Sequence, residues 1–133
     1  MIIGLGEDLV EIKRIEKIIE EKADRFLTKC FTSAEIKHAQ SHREGDRRTA
    51  YFAKRYAGKE ACLKALGTGM REGLSWQDME IGNDDLGRPV LNLSGGVQEK
   101  LNLLVPQGKT AAAHITLSDE AGLAKATVIL EAL

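Results

Sequence analysis

The stretch Tyr51–Met70, YFAKRYAGKEACLKALGTGM, constrains this chain more than any other. Phe52, Tyr56, Leu63 and Leu66 follow one another at steps of four, seven and three, which on a helix makes one apolar stripe. That stripe predicts a long helix lying against a core. On the same lattice Glu60 falls one turn from both Tyr56 and Lys64, and Arg55 and Lys59 form a second, cationic row beside it. A carboxylate inside a basic patch is the result. Gly67-Thr68-Gly69 ends the helix, because glycine takes the left-handed conformation of a C-cap and lets backbone approach a bulky group. Such an arrangement suits a polyphosphate and its metal.

A chain of 133 residues, 43% of them apolar, is read as one domain, 1–133, that can bury a real core but gains from an oligomeric partner. A formal net charge of −1 with 29% charged residues argues against a general nucleic-acid binder, so any basic surface is local. Cys30 and Cys62 fit neither a disulfide framework nor a zinc cluster, which points to a reducing compartment. MIIGLGEDLV meets acids at Glu7 and Asp8 too early for a secretory signal, and no stretch is long enough to span a membrane. The expected location is cytoplasmic.

Ile2–Leu5 reads as a buried strand turning at Gly6, with Asp8 just past its end. The two glycines of GLG lack the third glycine and the register of a dinucleotide fingerprint, and that reading is rejected. From Leu9 to about Ala23, Ile12, Ile15, Ile18 and Ile19 keep helical spacing, with Lys13, Arg14 and Lys17 on another side. Those cations are either a solvated face or a docking surface for an acidic protein. Phe26–Phe31 is apolar but irregular. Thr32 and Glu35 have capping-box spacing and Phe31 and Ile36 that of a hydrophobic staple, so a short helix is predicted from Ser33. Ser41–Arg48 reads as a charged loop. His38 and His42, four apart, have metal-binding spacing but no third ligand, and are taken as surface histidines.

After the central helix, Trp76–Ile81 and Val90–Leu93 read as strands joined through NDDLGRP into a hairpin. Val97, Leu101 and Leu104 mark a short helix, and Ala113, Ile115 and Leu117 alternate with His114 and Thr116 as a strand. Ser118–Gly122 is a turn before a last strand, Ala126–Leu130. Hairpins without repeated strand-helix crossovers predict an α+β fold, an antiparallel sheet packed against the long central helix.

Asp8 and Glu60 are the carboxylates placed most suggestively. Two such groups can hold a magnesium ion and leave positions for water and phosphate oxygens, although each could equally pair with a neighbouring lysine. Arg55, Lys59 and Lys64 could stabilise a pyrophosphate leaving group, or be ordinary cations on a helix face. His114 could donate to a phosphate, or be a histidine satisfied at a sheet edge.

GLGEDLVEIKRI at 4–15, FAKRYAGKEACLKALGTG at 52–69, DLGRPVLNL at 85–93 and HITLSDEAGLAKATVIL at 114–130 occur together, in this order, over almost the whole length. In them the chain resembles the holo-acyl-carrier-protein synthase family, the small bacterial type of 4'-phosphopantetheinyl transferase. The resemblance implies a fold of that type and transfer of the phosphopantetheine arm of coenzyme A to a serine of apo acyl carrier protein. Adenosine 3',5'-bisphosphate is released, magnesium is required, and the product serves fatty acid biosynthesis. It implies Asp8 and Glu60 as metal ligands, and Arg55, Lys59, Lys64, Gly67, Thr68 and Gly69 along the coenzyme A site. It also implies a homotrimer with active sites between subunits, so that His114 and the turn Asp85–Pro89 serve a neighbouring chain's ligand. Arg14, with Lys13 and Lys17, matches the surface that docks the carrier protein's acidic helix.

In that reading a serine oxygen attacks the β-phosphorus, Lys64 helps the leaving group, and Glu60 or a metal-bound water takes the serine proton. The chain departs from the family at Asp119: it reads TLSD where many relatives read SIxH, so no histidine acts there. Two other classes use the same features. One is a coenzyme A-binding module without catalysis, and the other a metal-dependent hydrolase that cleaves coenzyme A without an acceptor.

Overall fold

The fold is taken from a computed structural model that describes residues 1–41 and 45–133. Its axis is helix α4, Gly45–Leu66, labelled here in chain order after strand β1 (Ile2–Glu11) and helices α1 (Ile12–Lys22), α2 (Asp24–Cys30) and α3 (Ser33–Ala39). There follow a single 3-10 turn at Trp76–Asp78, strands β2 (Met79–Asn83) and β3 (Pro89–Leu93), helix α5 (Gly95–Leu104), and strands β4 (Ala111–Glu120) and β5 (Leu123–Ala132). The architecture is α+β, as expected. A three-stranded antiparallel sheet in the order β1-β5-β4 packs on α4, and β2 and β3 form a separate hairpin.

The sheet side of α4 is built from small residues. Ala57, Ala61 and Ala65 are buried at intervals of four, and β1 meets them with Gly4 and Gly6. A methyl group at Gly6 would overlap the Ala61 carbonyl, and one at Gly4 the Ala65 carbonyl. Two residues of strand advance about 6.8 Å and four of helix about 6 Å, so the pairs Gly4 with Ala65 and Gly6 with Ala61 keep step in opposite directions. The other side of α4 carries Phe52 and Leu63, with Phe52 against Phe31 at 4.8 Å between ring centroids. Each such aromatic or aliphatic side chain taken from water contributes about 1.5–3 kcal/mol.

Gly6 therefore answers to a helix, not a turn. The predicted end of the first strand at Leu5 is corrected: β1 runs on to Glu11, Asp8 lies within it, and α1 starts at Ile12 rather than Leu9. The irregular segment 26–31 is the body of α2 up to Cys30 and its extended cap residue Phe31, and Leu27 and Cys30, three apart, both point inward. Ser41–Arg48 is not wholly a loop, since Asp46, Arg47 and Arg48 form the first turn of α4 with an acid at its N-terminal end. His42 lies outside the described residues. Strand β2 begins at Met79, after Trp76 has closed its 3-10 turn, and β4 continues through Ser118 and Asp119 to Glu120. The capping box is present, with Thr32 Oγ1 accepting from the Glu35 N–H at 3.2 Å and Glu35 Oε1 from the Thr32 N–H at 2.9 Å. Among the described residues no helix is long and apolar enough to cross a membrane.

Candidate functional site

On the solvent side of α4, the antiparallel step set by Gly4 and Gly6 carries Asp8 alongside the turns that hold Glu60 and Lys64. Lys64 Nζ donates to Asp8 Oδ1 at 2.9 Å and to the Glu7 carbonyl at 3.0 Å, while more than half of its side chain stays exposed. Glu60 sits one turn back on the same helix and is half-buried. It also meets Tyr56. Burial, and after it the nearby Glu60 charge, push the Tyr56 phenol up to about 12, so at neutral pH it keeps its proton beside the carboxylate. The Tyr56 ring is stacked on Trp76, 5.4 Å away between centroids. Asp8, Glu60 and Lys64, predicted as site residues from far-apart segments, are thus drawn to one region. Gly67 and Gly69, with φ of 78° and 62°, close the helix beside them. Thr68 binds its neighbour, Oγ1 donating to the Gly69 carbonyl.

Arg55 and Lys59 are not in that patch, and the expected cationic row around Glu60 is corrected. Both turn inward. Lys59 is fully buried, with its ammonium 2.6 Å from Glu35 Oε1 and 2.7 Å from the Cys30 carbonyl. Burial pulls its pKa below the ordinary lysine value, and the Glu35 charge opposes that pull. Arg55, 5% exposed, lies over the Tyr51 ring at 3.7 Å and donates from Nη2 to Asn83 Oδ1 at 2.8 Å.

Arg55 also borders a cavity of about 600 Å³, whose walls include His38, Arg47, Lys54, Asn83 and Asp119. Its Nε is the one buried side-chain polar atom among the described residues that lacks a hydrogen-bond partner. An orphaned guanidinium donor beside two further cations is suited to an anion. Lys54 Nζ meets Asp119 Oδ1 at 2.9 Å on the cavity rim. Arg47, Lys54 and Asn83 escaped the sequence reading. The signal was the spacing of Arg47, Tyr51, Lys54 and Arg55, one face of a helix begun a turn earlier than predicted.

His114 is exposed on the face of the sheet turned away from α4, opposite Ile129 in the β4-β5 register, with Nε2 3.0 Å from Glu131 Oε1. Asp8 belongs to the other face, so one chain does not bring the two together. Lys13, Arg14 and Lys17 are all exposed along α1. Neither cysteine offers a thiolate: burial pushes Cys30 up to about 11 and Cys62 to about 12.

A hard divalent cation is compatible with the donors present. Asp8 and Glu60 supply carboxylate oxygens, and among the described residues no three His, Cys, Asp or Glu side chains converge into a cage. Two carboxylates with room for water and substrate oxygens are the usual terms on which magnesium is held.

The sequence profile of the 4'-phosphopantetheinyl transferase superfamily matches residues 4–120. Over all 133 residues the chain is 45% identical to the holo-[acyl-carrier-protein] synthase of Brucella ovis, covering 97% of that protein. The fold matches the holo-[acyl-carrier-protein] synthase of Neisseria meningitidis with a TM-score of 0.83 at 33% identity, covering 98% of this chain and 99% of that one. It matches the synthase of Bacillus anthracis, solved in complex with CoA (3',5'-ADP), with a TM-score of 0.81 at 34% identity, covering 100% and 99%. A glycine-lined strand, a carboxylate-bearing helix and a hairpin matched in order over nearly the full length leave one assignment: this chain belongs to the 4'-phosphopantetheinyl transferase superfamily.

Proposed function

We infer that the chain transfers the 4'-phosphopantetheine arm of coenzyme A to a serine hydroxyl of an apo acyl carrier protein, releasing adenosine 3',5'-bisphosphate. The observation that carries this reading is Lys64, a solvent-accessible cation bound to Asp8 one helical turn from Glu60. The serine Oγ–P bond forms as the bond from phosphorus to the bisphosphate oxygen breaks, and the serine proton passes to Glu60. Lys64 meets the negative charge that grows on the leaving group, an interaction stronger in the transition state than before it. Asp8 and Glu60 would hold Mg2+, which when bound neutralises charge on the pyrophosphate oxygens. Arg47, Lys54 and Arg55 offer a phosphate of the nucleotide its anion site, and Gly67–Gly69 lets backbone approach the ligand. Arg14, Lys13 and Lys17 form the docking face for an acidic carrier protein. Free, buried cysteines suit the cytoplasm.

The uncovered face of the sheet supports the reading of a homotrimer. Leu5 and Leu9 are 65% and 58% exposed there, and Leu5, Ile129 and His114 stand in one row across the three strands. Further copies of the chain would cover that row and carry His114 to a neighbour's ligand. Sedimentation equilibrium should return three times the 14.6 kDa chain mass, and a single-chain mass would defeat the arrangement.

The decisive assay incubates the protein with coenzyme A, Mg2+ and an apo carrier protein. A gain of ~340 Da on the carrier supports transfer. Free phosphopantetheine would favour the hydrolase, and bound but unchanged coenzyme A the simple binder.

A further inference from the structure

Lys59 is next in sequence to the proposed general base and, by family likeness, is expected along the coenzyme A site. Its surroundings point elsewhere. An ammonium has three N–H donors. Those of Lys59 have three protein acceptors: Glu35 Oε1 at 2.6 Å, the Cys30 carbonyl at 2.7 Å and the Trp76 carbonyl at 3.3 Å. The Phe31 ring closes the space at 5.1 Å, and none of the side chain is exposed. A phosphate could reach this nitrogen only by displacing one of these partners.

Glu35 is as fully engaged. Oε1 takes Lys59 and the Thr32 N–H, and Oε2 accepts from the Ile81 N–H at 3.0 Å. The pair ties together four pieces of chain: the end of α2, the start of α3, the turn carrying Trp76, and β2. Trp76 stacks on Tyr56, which lies one helical turn before Glu60 on α4. Lys59 held inside also fixes the rotation of α4 about its axis, because residue 60 projects about 100° away from residue 59 on a helix of 3.6 residues per turn.

We propose that Lys59 and Glu35 act as a buried positioning pair that orients Glu60 and its Tyr56–Trp76 support, and that Lys59 does not touch the substrate. The rate measurement used to test this rests on the transferase reading, but the binding measurement does not.

On the full chain, the Lys59 ammonium should give a persistent proton–nitrogen NMR signal at neutral pH. Its absence, meaning rapid exchange with water, would overturn the proposal. Titration with adenosine 3',5'-bisphosphate should shift the Lys64 Cε resonance and leave that of Lys59 in place; a Lys59 shift of similar size would also overturn it. Glu35→Gln, which removes no cation, should lower the turnover number about tenfold, the loss common for groups that orient a functional side chain. Its affinity for the bisphosphate, by calorimetry, should match wild type. Unchanged turnover, or weakened binding, refutes the positioning role, and Glu35→Asp serves if the first variant does not fold. Should wild type fail to modify a carrier protein, the transferase reading falls, while the exchange and titration results still decide whether Lys59 is sealed from ligand.

Discussion

Lys59 and Lys64 stand five residues apart on one helix and do opposite things. The first has a side chain with no exposed surface and an ion pair to Glu35; the second has a side chain 54% exposed and an ion pair to Asp8. Five residues turn a helix through about 140°, enough to take a cation from the packed interior to water. Each ammonium faces a carboxylate, yet the consequences differ. A buried pair must be fully hydrogen-bonded, and losing one member leaves a charge stranded, at a cost of about 3–5 kcal/mol. A pair whose cation is solvated strands no charge when its acid is lost, and it keeps that cation available to a ligand. Architecture and chemistry in α4 are thus divided by face, not by residue type.

Asp8→Ala is the sharpest test of that division. The Asp8 side chain is itself only 14% exposed, but its partner Lys64 stays solvated when the carboxylate is lost and no charge is stranded, so the midpoint of thermal unfolding should move by no more than about 3 °C. Turnover of carrier protein should nonetheless fall about a thousandfold, the upper range for deleting one group that stabilises developing charge. A variant retaining more than a tenth of wild-type activity in saturating magnesium would show that the wet face is not where the chemistry happens.

Lys64→Met should have the next largest effect, about a hundredfold on the turnover number, with much less change in the KM for coenzyme A. An interaction stronger in the transition state than in the bound substrate has that signature. Folding should be unaffected, because the ammonium is solvated. A large fall in stability would break the contrast with Lys59 and place both lysines in the architecture.

The parts of this molecule legible from sequence are those set by neighbours along the chain. The capping box of α3, the hairpin around Asp84–Arg88 and the apolar stripe of α4 depend on residues within a turn or two of one another. Glycine usually marks a turn, whereas the need for Gly6 comes from the Ala61 carbonyl, 55 residues away. A lysine on a helix is usually a surface cation, but the partner of Lys59 is 24 residues away across the core. The pairing of β1 with β5 joins the two ends of the chain, and alternation alone carries no strand order. For the candidate site, residue types and motif order pointed to Asp8, Glu60 and Lys64. The cavity around Arg55 stayed hidden, since its first cation, Arg47, sits in a charged stretch that resembles a loop.

That cavity holds a third ion pair, with both of its side chains partly exposed, and it gives the smallest predicted effect. Among the described residues bordering it Asp119 is the one acid, and its Oδ1 engages Lys54 with side chains 38% and 28% exposed. While the pair persists, part of the Lys54 charge is cancelled, and an incoming phosphate meets Arg47 and Arg55 more than Lys54. Asp119→Asn keeps the shape and removes the negative charge. Affinity for adenosine 3',5'-bisphosphate should therefore rise, by about threefold, in line with the modest strength of partly exposed pairs. Calorimetry at two salt concentrations checks the cause. Screening over about 8 Å at physiological ionic strength should leave part of the gain, and 1 M salt should erase most of it. A gain indifferent to salt would mean that Asp119 acts through shape, and no gain at all that the phosphate binds somewhere other than this cleft.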